Sequence, residues 1–172
     1  SQGVAGGYRA AGVDLDAAAR VKEMIKPLVR STFTPQVLGD IGFFGGLYHP
    51  EGYRDPVLVA HTDGVGTKVK LARWVGRFDS VGRDVVSHCV NDILTCGARP
   101  LFFLDYIAVD TLVSSQVVEL VEGMAAACRE AGCVLLGGET AQMPGVYAAG
   151  ELDVAGFVVG AVERDALLDG ST

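Results

Sequence analysis

The chain is short of positive charge. It has 14 Lys and Arg against 21 Asp and Glu, for a net charge of -7. That balance excludes a general nucleic-acid binder and a protein drawn to anionic membranes, although a local basic patch can still serve a phosphate. No apolar run is long enough to span a bilayer, and no signal-peptide pattern opens the sequence. The four cysteines (Cys89, Cys96, Cys128 and Cys133) form no C-x-x-C pair, and the three histidines are scattered. A zinc site needs closer spacing, so the thiols read as reduced core residues of a cytoplasmic protein. Neither a G-x-x-x-x-G-K-S/T nor a G-x-G-x-x-G motif is present, which removes the common nucleotide folds. What remains is 49% hydrophobic and 20% charged over 172 residues. That composition describes one globular domain able to bury a core, without bulk disorder.

The chain is organised around His61-Thr62-Asp63-Gly64-Val65-Gly66-Thr67-Lys68. Pro56-Val57-Leu58-Val59-Ala60 just before it reads as a short buried strand, and residues 67–77 just after it as a helix. A strand that enters such a turn and then a helix is a place where anionic ligands are held. Glycines let the backbone approach, and the N–H groups of a helix start favour negative charge. A carboxylate beside phosphates needs a cation between them. This stretch alone therefore suggests a magnesium–nucleotide site. Lys70, Arg73 and Arg77 share one stripe of the helix, more simply a solvated face than a site. Lys68 lies off that stripe, so it either has its own task or sits at the edge of the core.

The rest of the chain is read in order. Residues 1–12 are Gly/Ala-rich and loose, 13–164 form the domain, and 165–172 start a linker. Asp14 or Asp16 caps a helix over 17–29. The four glycines of residues 39–46 surround Phe43 and Phe44, either in an ordinary surface loop or in a flap over a ligand. Asp79-Ser80 caps a helix running to about Cys96. Val85, Val86, Cys89, Val90 and Ile93 form its inner side, and Asp84, His88, Asn91 and Thr95 a polar stripe. Asp92 falls at the border of the apolar face, either as an edge residue or facing a cation or donor. Residues 101–109 are a strand interrupted by Asp105, and 114–131 a helix stopped by Gly132. Cys133–Leu136 is a short strand entering a Gly137-Gly138-Glu139-Thr140 turn, and 152–162 the last strand. Gly156 and Gly160 in that strand mark a bulge or close backbone contact. Two crossover helices and a final hairpin imply an α+β fold, a four-stranded mixed or antiparallel sheet with helices on one face. The strands are apolar on both sides, so a second subunit or domain is expected on the other face.

Asp63 and Glu139 are thus placed just beyond strand ends, and Asp92 on a crossover helix. If the two strands are neighbours, the acids converge, and such hard oxygen ligands imply magnesium. The metal would bridge nucleotide phosphates, with Lys68 and the Gly64 and Gly66 backbone offsetting the remaining charge.

The sequence resembles the N-terminal half of the phosphoribosylformylglycinamidine cyclo-ligase family. The matching stretches are Ala11-Gly12-Val13-Asp14, Thr62 through Lys68, Cys89-Val90-Asn91-Asp92, Pro100 through Tyr106, Gly137 through Gly145 with Gln142 departing, and Asp153 through Phe157. The Asp-Gly-Val-Gly-Thr-Lys and Asn-Asp elements are also similar to a wider ATP-using group that includes thiamine-phosphate kinase. Phe-Leu-Asp-Tyr and Gly-Gly-Glu-Thr-Ala-x-Met-Pro-Gly look particular to the cyclo-ligases. The resemblance implies ATP-dependent ring closure of formylglycinamidine ribonucleotide, through phosphorylation of its amide oxygen. It implies Asp63, Asp92 and Glu139 as Mg2+ ligands, Lys68 on phosphate, and Asn91 orienting the metal shell or substrate. Gly64, Gly66, Thr67, Gly137, Gly138 and Thr140 complete the ATP contacts. His88 is a proton shuttle or a helix-surface residue. The implied assembly is a homodimer whose sheets pair into a β-barrel, with no nucleic-acid or membrane partner. Gln142 stands where the family usually carries Glu, and the family enzymes are about twice this length. A dimerisation scaffold without turnover, or a kinase of the wider group, are the competing readings.

Overall fold

The computed structural model describes residues 7, 10–42 and 44–171. Most of the expected loose segment 1–12, and Phe43 of the expected flap, lie outside them. The element order is α1 (Leu15–Arg30), β1 (Pro56–Gly64), α2 (Lys68–Val75), α3 (Asp79–Leu94), β2 (Arg99–Val109), α4 (Ser114–Ala131), β3 (Val134–Gln142) and β4 (Leu152–Glu163). The α+β class and the helix-covered mixed sheet agree with the sequence reading.

Local signals explain the helices. Asp14 caps α1 by accepting from the Ala17 N–H at 2.9 Å, and Gly132 stops α4 in the left-handed conformation. The cap of α3 differs from expectation. Phe78 occupies that position, and its N–H donates to the Glu119 carboxylate from α4 at 3.0 Å. Asp79 is instead the first helical residue and holds Arg77. The inner side of α3 is as expected, with Val85, Val86, Cys89, Val90 and Ile93 all buried against the sheet and α4.

The sheet order is β1-β4-β2-β3, with β4 antiparallel to both neighbours and β2 parallel to β3. Three expectations are corrected here. First, β3 and β4 form no hairpin; β4 passes β2 and inserts between it and β1. Second, the strands bearing Asp63 and Glu139 are the two edges of the sheet, not neighbours. Third, the glycine-bearing segments are strand, not turn. The ladder runs to Gly64↔Ala155 on β1 and to Val109↔Gln142 on β3, because β4 and β2 supply partners for those backbone groups. Nor is β1 buried: alternate residues are exposed along it, as an edge strand with one open face allows.

Phe103 is fully buried under the helices, and Gly156 of β4 makes room for it. A Cβ at Gly156 would overlap the Phe103 ring and touch Val85 of α3. Gly160 also passes close to the Arg99 carbonyl and Ile93, and it stands where the register with β2 shifts by one residue at Leu101, so Gly156 marks a close contact and Gly160 both a close contact and a bulge. The opposite sheet face carries Leu58 at 63% exposure and Phe157 at 44%, while Phe102 is shielded by the Tyr48 ring at 5.5 Å.

Gly156→Ala is expected to cost about 1–3 kcal/mol, by pushing Phe103 from its rotamer and α3 from the sheet. Urea unfolding of the variant against the parent measures it, and an unchanged midpoint would show that the ring has room to yield.

Candidate functional site

The central rows of the sheet set the geometry. Asp63, Gly156, Asp105 and Gly138 stand opposite one another across the four strands. Asp63 and Asp105 therefore share the helix-covered face, two strand spacings or about 10 Å apart. One row on, Gly64, Ala155, Tyr106 and Glu139 are aligned. Glu139 lies three spacings from β1, about 14 Å, and side-chain alternation turns it to the other face. Asp63, Asp92 and Glu139 accordingly do not meet within one chain.

At the β1 edge a different set does meet. His61 and Asp63, two residues apart, both face α3. His61 Nε2 is 2.8 Å from Asp92 Oδ2, so the donor facing Asp92 is an imidazole. His61, Asp63 and Asp92 can each present a ligand atom within 4.8 Å of the others. Further along α3, Asp84 and His88 precede Asp92 at four-residue steps, one above the other. Lys68 Nζ donates to Asp84 Oδ2 at 2.7 Å and lies 3.2 Å from His88 Nε2. An ammonium has no lone pair, so His88 Nε2 is the acceptor, and its Nδ1–H faces Asp63 Oδ2 at 3.7 Å.

Two of the three histidines thus belong to this cluster, and the expectation that they are scattered fails for His61 and His88. His61 was missed because the strand was read as ending at Ala60. The alternation Val57, Val59, His61, Asp63 was the available signal. Cys89 is buried beneath the cluster, where burial pushes its thiol up to about 11, so it stays neutral. All four cysteines are free.

The remaining expected residues are distributed around these groups. Gly66 turns the chain with φ +58°, and Thr67 precedes α2 without a side-chain cap bond. Asn91 is exposed on α3 next to Asp92. Lys70 and Arg73 are exposed, as a solvated stripe requires, and Arg73 donates to the Ala149 carbonyl.

Gly137, Gly138, Glu139 and Thr140 line a separate cavity of about 680 Å3 between α1, residues 40–42 and 44–46, and β3. Asp40 pairs with Arg30 of α1, which holds its carboxyl down at about 2, and Gly46 packs on Leu136. Residues 40–42 and 44–46 thus line one wall of the cavity. Asp105 forms part of its floor and lies over Gly138, where a Cβ would overlap its carboxylate. Burial pushes the Asp105 carboxyl up to about 7; its own backbone N–H opposes that shift and the Glu139 charge adds to it. Gln142 clamps the Asp14 backbone with both ends of its amide. Its Oε1 accepts from Asp14 N–H at 3.0 Å, and its Nε2 donates to Asp14 O at 3.2 Å. A Glu could accept in the first bond but could not donate in the second.

The fold is shared with thiamine-monophosphate kinase from Stenotrophomonas maltophilia, with a TM-score of 0.64 at 20% identity over 84% of this chain and 42% of that one. The hydrogenase maturation protein HypE in complex with ATP has a TM-score of 0.55 at 20% identity over 81% and 39%. The chain belongs to the family described as AIR synthase related protein, N-terminal domain, which matches residues 50–162. It is 60% identical over 165 residues to a phosphoribosylformylglycinamidine cyclo-ligase of Synechococcus elongatus, covering 95% of this chain and 48% of the relative. The cyclo-ligase of Trichlorobacter lovleyi is 55% identical over 167 residues, 96% and 48% of the two chains. The chain thus spans about half the length of the curated relatives it matches.

The Asp105 carboxyl generates a pH prediction. The folded chain keeps its proton up to about pH 7, while the unfolded chain loses it near pH 4. Stability therefore falls as pH rises through that window and levels off above it, by an amount on the order of a few kcal/mol. In urea unfolding at a series of pH values, Asp105→Asn should remove this decline. A parent and variant with parallel profiles would contradict it.

Proposed function

We propose that the chain is the ATP-binding half of a phosphoribosylformylglycinamidine cyclo-ligase, acting in purine biosynthesis to close the imidazole ring of aminoimidazole ribonucleotide. The observation that carries this reading is the His61, Asp63 and Asp92 group beside Lys68, at the start of the Gly64-Val65-Gly66-Thr67 turn. Three carboxylates (Asp63, Asp84 and Asp92) against one ammonium (Lys68) leave two formal negative charges, which suits a divalent cation. The two aspartates, Asp63 and Asp92, offer the oxygen donors that a divalent cation such as Mg2+ takes. Glu139, on the far edge, is left to the cavity with Gly137, Gly138 and Thr140. High identity to curated cyclo-ligases supports the activity. A thiamine monophosphate kinase structure solved with AMPPCP, 25% identical with a TM-score of 0.54 over 67% of this chain and 35% of that one, supports ATP as the nucleotide.

In this reading formylglycinamidine ribonucleotide gives its amide oxygen to the γ-phosphoryl group of ATP, releasing ADP. An amidine nitrogen then attacks the activated carbon, and inorganic phosphate leaves as the ring closes. The cation, when bound, offsets phosphate charge. The protein's part is positioning and electrostatics. Lys68 has three N–H donors, of which Asp84 and His88 engage two, so the third can serve a phosphate oxygen. Asp84 fixes where that ammonium points. Gly66 and Thr67 bring backbone N–H groups to the same place, and Asn91 borders the Asp92 side of the metal shell. The Asp105 carboxyl, which burial raises to about 7, would in its protonated form meet the substrate as a hydrogen-bond donor. The open sheet face with Leu58 and Phe157 exposed is where a second copy would pair to build a barrel. Among the described residues, no helix is long and apolar enough to cross a membrane.

Asp63→Asn should weaken magnesium-dependent ATP binding by about tenfold or more, since it removes a charged ligand. Isothermal titration with ATP and Mg2+ measures it. Binding equal to that of the parent would remove Asp63 from the site.

A further inference from the structure

We propose that His61 is a direct nitrogen ligand of the cation held by Asp63 and Asp92, so that this site prefers a first-row transition cation such as Mn2+ or Co2+ to Mg2+. The inference rests on the reading that those two aspartates hold the cation, and it adds the chemistry of the third ligand. Magnesium sites are built from oxygen, whereas imidazole nitrogen favours transition cations.

Four observations converge on His61. It lies two residues before Asp63 on the same face of β1, with its backbone fixed opposite Val158 in the ladder. Its Nε2 is 2.8 Å from Asp92 Oδ2, close to the separation of about 3 Å between adjacent ligand atoms around an octahedral ion with 2.1 Å bonds. The three ligand atoms fall within 4.8 Å of one another without a change of backbone, so small side-chain rotations close them on one ion. The imidazole is 36% exposed, which leaves a path for the ion and room for water or phosphate oxygens in the remaining positions. The other nearby nitrogen, His88 Nε2, faces the Lys68 ammonium, a cation that repels a metal ion, whereas His61 Nε2 faces a carboxylate that would share the ion.

The alternative role for His61 is to orient Asp92 from behind while contributing no bond to the ion. The two roles differ in a spectroscopic signature. With Mn2+ bound to the chain, direct coordination gives a 14N modulation in pulsed electron paramagnetic resonance. That modulation should be present in the parent, persist in His88→Ala and vanish in His61→Ser. In titrations, His61→Ser should weaken Mn2+ and Co2+ binding by about tenfold or more and Mg2+ binding by less than about threefold. A parent chain that binds Mn2+ without 14N modulation would overturn the proposal, and this reading needs no variant to fold. Equal losses for Mn2+ and Mg2+ in His61→Ser would overturn it too, by assigning His61 the orienting role. Asp63→Asn separates the two levels: if it keeps both cations, the underlying site assignment fails, and if it loses both while His61→Ser loses neither, only the present proposal fails.

Discussion

The structure depends on the packing of Phe103 over Gly156. A side chain at that point would push Phe103 out of its place and lift α3 from the sheet, in which β4 lies between β1 and β2. Because β4 takes the central place, β1 and β3 become edges. The chemistry-bearing residues of the two glycine segments are thereby sent to opposite sides of the domain. Phe103, Val158 and Val154 fill the space between them with apolar side chains. The low-dielectric layer that holds the fold together also keeps the charges of the β1 edge apart from the carboxyls of the cavity.

The two places have opposite electrostatic character. At the β1 edge the carboxylates are exposed or half-buried and compensated by Lys68, an arrangement that tolerates charge and needs two further positive charges. In the cavity burial raises the Asp105 carboxyl to about 7, and the nearby Glu139 charge adds to that shift. One site is suited to phosphates brought in with a cation. The other is suited to a neutral, hydrogen-bonding portion of a ligand. The proposed ring closure would draw on both kinds of environment, with α1 and residues 40–42 and 44–46 forming the wall of the second.

Much of the fold was legible in the sequence because the signals were local. The Asp14 cap, the Gly132 stop and the inner side of α3 follow from single residues or from helical period, and all stand where expected. What failed was the reading of glycine. Gly64, Gly137 and Gly138 look like turn residues, but each lies in a ladder whose partner strand is distant in sequence. Gly138 is there because Asp105 comes within contact of it. No local pattern carries that information, and so β1 and β3 were cut short and β4 was paired with the wrong strand. The error hid His61, which becomes a site residue only when β1 is extended through it. Asp92 reads in the sequence either as an edge residue or as facing a cation or donor, and finding His61 opposite it required the same tertiary knowledge. Gln142 likewise became intelligible only once its amide was seen to clamp the Asp14 backbone.

The central claim is that the cation and phosphate site sits between β1 and α3 and not in the cavity at Glu139. Anomalous diffraction from crystals of this chain grown with Mn2+ and a non-hydrolysable ATP analogue tests it most directly. The account predicts a manganese peak enclosed by His61, Asp63 and Asp92, with the nucleotide phosphates on the Lys68 side. A peak at Glu139, with the β1–α3 cluster empty, would contradict it.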